Sequence, residues 1–253
     1  MTGSLFSLEG KTALVTGANT GLGQGIAVGL AHAGADIVAV GRSAPDETAE
    51  MVRKAGRRLH AIRADLGSTE PLARVVDEAW AVAGQVDILV NNAGIIRRAD
   101  SLDFTEGDWD AVMDTNLKSV FFLSQAVARR WVDEGRGGKI INVVSMLSFQ
   151  GGIRVPSYTA SKSGLAGLTK LLCNEWAGKG INVNAIAPGY FATNNTEALR
   201  ADEGRSKEIL ARIPAGRWGE PSDLAGAAVF LASRASDYMH GAIVPVDGGW
   251  LAR

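Results

Sequence analysis

TALVTGANTGLGQGIAVGLAHAG, residues 12–34, joins a short β-rich run, a glycine-rich turn and a run of small and apolar residues at helical spacing. The helical run ends at Gly34, a residue suited to a C-terminal cap. A turn of this kind between a first strand and a first helix is where the pyrophosphate of a dinucleotide meets backbone N–H groups and the positive end of a helix. Gly17, Gly21 and Gly23 let the chain turn tightly and approach phosphates with no Cβ in the way. Their spacing, G-x-x-x-G-x-G, departs from the usual G-x-G-x-x-G. A purely structural role for the glycines is the alternative.

Outward from this stretch the strand–helix alternation continues. ADIVAVG, DETAEMVRKAG, LHAIRADL, TEPLARVVDEAWAVAG and VDILVNNAG follow as strand, helix, strand, helix and strand. GKIINVVS, INVNAIAP and GAIVPVDGG supply further strands, and long helical patterns cover roughly Gly107 to Gly135 and Pro156 to Gly178. Most of the strands are near-continuous apolar runs, as parallel strands covered on both faces require. The expectation is one α/β domain spanning residues 1–253, with a doubly wound, Rossmann-type parallel sheet of about seven strands. No linker or repeat divides the chain. The polar segment from Gly189 to Pro214 reads as partly helical and, by its length, as a substrate lid.

The 253 residues are 46% hydrophobic and 21% charged, with a net charge of −1. That balance speaks for a folded soluble chain and against nucleic acid as a partner. No apolar run is long enough for a transmembrane helix, and the N-terminus lacks a secretory pattern, so a cytoplasmic location and no membrane partner are expected. The three histidines stand far apart and no cluster has metal-ligand spacing, so no metal is expected. Cys173 lies in an apolar helical pattern and reads as a buried thiol.

Ligands bind such sheets at the carboxyl ends of the strands. At the tip of the second strand Gly41 stands where an acid would read a free ribose 2′-hydroxyl, and Arg42 beside it leans toward the 2′-phosphate of NADP; a solvated surface arginine is the alternative. Asp65 closes the third strand and is placed either to accept from an adenine amino group or to cap the next helix. Asn92, Ala93 and Gly94 end the fourth strand, and Ser145 the fifth. In VPSYTASKSG (155–164), Tyr158 and Lys162 are four residues apart and share a helix face. A phenol has a pKa of about 10, and a nearby ammonium lowers it toward the working pH. Such a phenol can take the proton of an alcohol or return one to a carbonyl while hydride moves to or from a nicotinamide. Ser145 is placed to hold the reacting oxygen beside it.

TGANTGLG, NNAG, Asn116 in TNLKSVF, Ser145, YTASK and the terminal PVDGG together resemble the short-chain dehydrogenase/reductase family over essentially the whole chain. The resemblance implies one nicotinamide cofactor, Tyr158 as acid/base, Lys162 as its electrostatic partner, Ser145 as orienter and Asn116 holding a water in a proton relay. It further implies a cofactor lying along Gly17, Asn19, Thr20, Gly21, Leu22 and Gly23, then Arg42, Asp65, Leu66 and Asn92 to Gly94. Beyond these the cofactor would meet Tyr158, Lys162, Pro188, Gly189, Phe191 and Thr193. A homotetramer is implied as well.

Within the family, GIIRRADSLDF, SFQGGIRVPSYTASKSG and FATNNTEALRADEGRSKEILARIPAGRWG are similar to dehydrogenases of 2-deoxy-gluconate (at C3) and of 2-dehydro-3-deoxy-gluconate (at C5). That group implies NAD where Arg42 implies NADP, so both cofactors stand. The expected substrate is a small sugar acid, whose carboxylate suits a bidentate guanidinium from Arg98 or Arg154. Gln150 and Asn194 are candidates for its hydroxyls. A 3-oxoacyl carrier-protein reductase shares every one of these motifs, and a non-catalytic dinucleotide sensor is the reading from another class.

Overall fold

Apolar side chains alternate along Thr12–Thr16 (β1), so this one strand serves two cores. Ala13 and Val15 face one layer of helices and Leu14 the other. In the computed structural model, which describes residues 4–253, β1 sits mid-sheet, with Leu14 opposite Val38 on one side and Leu89 on the other. The strands are β1, β2 (Asp36–Gly41), β3 (Leu59–Arg63), β4 (Ile88–Asn91), β5 (Gly138–Val143), β6 (Ile181–Pro188) and β7 (Ile243–Val246). They form one sheet in the order β3-β2-β1-β4-β5-β6-β7, with every pair parallel. The strand order reverses between β1 and β4, which opens a crevice at their carboxyl ends. The expected α/β class, strand number and single domain are all found.

The helices are α1 (Gly21–His32), α2 (Asp46–Lys54), α3 (Leu72–Ala83), α4 (Glu106–Met113), α5 (Ser119–Asp133), α6 (Pro156–Trp176), α7 (Glu197–Ala201), α8 (Glu203–Arg212) and α9 (Ala225–Ala232). Ile26 and Leu30 of α1 and Ala228 and Leu231 of α9 pack against one sheet face, with Val52 of α2. Val75 and Ala79 of α3, Leu123 and Val127 of α5 and Leu172 of α6 pack against the other. Cutting a fully buried side chain such as Leu14 to alanine costs about 2–5 kcal/mol, because the void does not close. Pro156 opens α6 in its first turn, where a missing N–H costs nothing.

Three expectations need correcting. The helical pattern from Gly107 to Gly135 is not one helix: a π-helical turn, Asp114–Lys118, separates α4 from α5. Such a turn interrupts an α-helix for a single wider turn without ending it, so reading only where helical pattern starts and stops passes over it. Ser145, Asp65 and the stretch Asn92 to Gly94 do not end their strands, because β5 stops at Val143, β3 at Arg63 and β4 at Asn91; they belong instead to the connections that follow. Cys173 is half-buried at the margin of the second core. Segment 189–214 is partly helical, as expected, holding a 3₁₀ turn at Asn194–Thr196 followed by α7 and α8.

Candidate active site

The glycine turn after β1 leaves no room for side chains. A Cβ on Gly23 would overlap the Gly17 carbonyl oxygen and the Asn92 amide, and Gly17 itself has φ of 66°. Thr20 precedes α1 in extended backbone and makes no side-chain cap, so the first-turn N–H groups of α1 face the crevice. The Asn92 amide donates to the carbonyls of Thr16 and Gly17 at 2.9 and 3.2 Å, tying the end of β4 to the turn. A cavity of about 590 Å³ lies over this floor. It is lined by every residue expected along a cofactor: Gly17, Asn19, Thr20, Gly21, Leu22, Gly23, Arg42, Asp65, Leu66, Asn92, Ala93, Gly94, Tyr158, Lys162, Pro188, Gly189, Phe191 and Thr193. The glycine floor and the helix end fit the pyrophosphate of a dinucleotide.

At the far end of the cavity, Asn19 donates to the Ser43 hydroxyl at 2.9 Å beside Arg42, which is exposed and lines the same wall. Asp65 lines the cavity, but it does not cap the next helix, whose first turn follows Pro71; it accepts from the Gly67 N–H at 2.9 Å within its own turn.

At the other end, Ser145, Tyr158 and Lys162 line the same cavity. Ser145 caps a 3₁₀ turn, its hydroxyl accepting from the Leu147 N–H at 3.2 Å. Lys162 is buried, 5.8 Å from the Tyr158 ring centre, and donates to the Val143 carbonyl at 2.7 Å. Burial lowers its ammonium to about 8. The expectation that this ammonium pulls the phenol down is corrected. Burial dominates and pushes Tyr158 up, while the opposing influences are the Ser145 hydroxyl and the Arg98 charge. The physical reason is direction, since Nζ is aimed at the carboxyl end of β5.

Asn116 sits in the π-helical turn, fully buried, and clasps Ile95: its Oδ1 accepts from the Ile95 N–H and its Nδ2 donates to the Ile95 carbonyl, both at 2.9 Å. A Cβ on Gly94 would stand 3.1 Å from Asn116 Oδ1 and 3.7 Å from Lys162 Nζ, so these three groups meet at one point.

The candidate substrate residues divide. Ser145 and Asn194 line the cavity. Arg98 does not line the cavity, whose lining arginine here is Arg97; it donates to the Asn195 carbonyl at 3.0 Å and stands beside the cavity, near enough for its charge to reach Tyr158. Arg154 does not line the cavity; it pairs with Asp100 at 3.5 Å on the surface, with φ of 62°. Gln150 does not line it either, because its carbonyl oxygen is taken by Arg212 and Trp250. Sequence reasoning missed Arg97, Ile95, Thr115, Ser43 and Thr196 as lining residues. Only the position of Ile95 directly after NNAG offered a signal.

A family model described as enoyl-(acyl carrier protein) reductase matches residues 17–251. The 2-dehydro-3-deoxy-D-gluconate 5-dehydrogenase of Escherichia coli (strain K12) is 64% identical over 250 residues, covering 99% of each chain. The protein of the same name from Bacillus subtilis (strain 168) is 55% identical, covering 98% of this chain and 97% of its own. A crystal structure from Agrobacterium tumefaciens, described as a candidate 2-deoxy-D-gluconate 3-dehydrogenase with bound NADP, is 65% identical with a TM-score of 0.94, covering 99% of this chain and 100% of its own.

Proposed function

The chain belongs to the short-chain dehydrogenase/reductase family, an NAD(P)-dependent oxidoreductase, and from that premise we propose that it interconverts a secondary alcohol and a ketone on a deoxy-hexonate, with C5 of 2-dehydro-3-deoxy-gluconate as the reacting centre. The observation that carries the chemistry is the meeting of Tyr158, Ser145 and Lys162 at one end of a cavity whose other end is a phosphate cradle. The name shared by relatives at 64% and 55% identity supports the substrate.

A nicotinamide, when bound, accepts or supplies hydride at the carbinol carbon. The rest falls to this chain. Ser145 donates to the reacting oxygen and fixes it beside the Tyr158 hydroxyl. In oxidation the phenolate takes the alcohol proton; in reduction the phenol returns it. Lys162, charged below about 8, favours the phenolate once it turns toward the ribose side of the cavity. Asn116 holds the strand end that carries Gly94 against that lysine and is the residue to which a relay water is assigned. Arg98, beside the cavity, meets the substrate carboxylate. Segment 189–214 acts as the lid.

Arg42 at the tip of β2, with Ser43 and Asn19 beside it in the wall, supports NADP, and NAD stands as the second cofactor on the likeness to the sugar-acid dehydrogenases. Exposed apolar side chains on the outer helices, Phe122 and Leu171 among them, support helix-paired assembly into a homotetramer, which light scattering would measure. The test of function is an initial-rate assay with NAD and NADP in parallel against 2-dehydro-3-deoxy-gluconate, 2-deoxy-gluconate and a short 3-oxoacyl thioester. Fastest turnover of the first, falling when Arg98 becomes alanine, is the expected result. Turnover of the thioester alone discards the sugar-acid reading and leaves the chemistry in place. Arg42→Ala should raise KM for NADP by roughly tenfold and leave that for NAD within about twofold.

A further inference from the structure

Segment 189–214 is fastened by contacts that belong to neither face of the sheet. Met146, Ile209, Ile213 and Trp250 form a separate apolar cluster, with Leu147, Tyr190 and Trp218 packed against it. Three distant pieces of chain thus meet here: the turn that begins at Ser145, helix α8, and the C-terminal residues. Two hydrogen bonds seat the end of the segment on the C-terminal turn, where the Ala215 N–H donates to the Gly248 carbonyl at 3.0 Å and the guanidinium of Arg253 donates to the Ala211 carbonyl at 3.2 Å.

One side chain joins all three pieces. Gln150 Oε1 accepts from Arg212 Nη2 of α8 at 3.1 Å and from Trp250 Nε1 at 3.2 Å. Guanidinium and indole N–H are donors only, so the amide oxygen, with its two lone pairs, is the group that satisfies both. The Arg212 guanidinium also lies 4.1 Å over the Trp250 ring, and Tyr190 packs on the opposite element with its ring centre 4.8 Å from that of Trp250. The other end of the bracket is fixed as firmly. The Gln150 N–H donates to the Met146 carbonyl at 3.2 Å, and the Ser148 hydroxyl donates to the Lys162 carbonyl at 2.8 Å. The chain from Ser145 to Gln150 is therefore a short rigid arm, tied to α6 on one side and to α8 on the other.

We propose that Gln150 is a positioning residue, the latch by which the Ser145 turn holds helix α8 and Trp250 and so sets how closely segment 189–214 covers the substrate end of the cavity. The proposal rests on the reading in which Ser145 holds the reacting oxygen. Gln150 does not touch substrate; it acts through Arg212 and Trp250, and substrate affinity is where its loss is felt. The dinucleotide meets the glycine turn, the ends of β2 and β4, and Gly189, Phe191 and Thr193 at the start of the segment, whereas the latch bonds to Arg212 at the far end of α8 and to Trp250 and touches none of these.

The test compares Gln150→Leu, which keeps bulk and removes the acceptor, with Gln150→Glu, which keeps an acceptor for both donors. For Gln150→Leu, KM for 2-dehydro-3-deoxy-gluconate should rise about tenfold or more while kcat and the dinucleotide Kd change less than about threefold. Gln150→Glu should restore KM to within about threefold of wild type. Unchanged KM in Gln150→Leu overturns the proposal, as does a Gln150→Glu enzyme as impaired as Gln150→Leu. Trypsin cleavage after Lys207 and Arg212, with NADP bound, should quicken in Gln150→Leu. This readout needs no turnover, so it decides the latch even if the sugar acid proves not to be the substrate; equal cleavage rates overturn the latch. Should Gln150→Leu lose dinucleotide binding through misfolding, Trp250→Phe, which keeps the ring and drops the N–H, takes its place. A KM raised a few-fold supports the latch and an unchanged KM overturns it.

Discussion

Replacing Lys162 by methionine should make the protein more stable and inactive at once. Burial lowers the Lys162 ammonium from 10.5 to about 8, which costs the charged form about 3 kcal/mol in the folded state at about 1.4 kcal/mol per pH unit. Methionine has a similar length and no charge to bury. It also gives up the bond to the Val143 carbonyl, worth about 1–2 kcal/mol, so the variant should gain about 1–2 kcal/mol at pH 7. At this chain length each kcal/mol moves Tm by about 2–4 °C. The gain must depend on pH in a particular direction. Below about 8 the lysine is charged in both the folded and the unfolded chain, and the wild type carries the full penalty. Between about 8 and 10.5 the unfolded chain binds the proton more than the folded one, so wild-type stability rises with pH relative to the variant and the gap narrows. Thermal melts of both dinucleotide-free proteins from pH 7 to 9.5 measure this directly, since other groups titrate alike in the two. Turnover should fall by roughly a hundredfold or more. A variant that melts at or below wild type at pH 7, or a gap that does not change with pH, would refute the reasoning that burial governs this lysine.

Gly23→Ala should abolish dinucleotide binding, because the new Cβ overlaps the Gly17 carbonyl and the Asn92 amide, and the cradle must open to admit it; a titration by nicotinamide fluorescence showing near-wild-type affinity would contradict the close approach. Asn116→Leu leaves the N–H and carbonyl of Ile95 without their partners in a half-buried site, at about 1 kcal/mol each, so Tm should drop by roughly 4–8 °C. A drop under about 2 °C on calorimetry would mean that the π-helical turn finds other partners. Asp223, held at about 2 by the Arg217 guanidinium and the Glu220 N–H, contributes stability above pH 4 that is lost as pH falls toward 2. Asp223→Asn should therefore show a flatter acid melt, though only slightly, because the pair is part-exposed.

Local patterns carried much of this protein in plain view. The apolar strands, the helices between them and the glycine turn after β1 follow from periodicity and backbone sterics acting over a few residues, so the sheet and its phosphate cradle were legible from the chain alone. The common face of Tyr158 and Lys162 was legible for the same reason, since four residues make one helical turn. What that lysine bonds to was not: its partner, the Val143 carbonyl, is brought there by the packing of α6 on the sheet. Nor were the fates of Arg154 and Gln150, both near the sheet edge in sequence and both turned away from the cavity. Gln150 meets Arg212 and Trp250 across 62 and 100 residues of chain. Polar side chains at an edge choose partners by distance and direction, and both are set by the path of the whole chain. A glutamine that reads as a substrate ligand becomes a fastening once α8 and the C-terminus have folded down beside it.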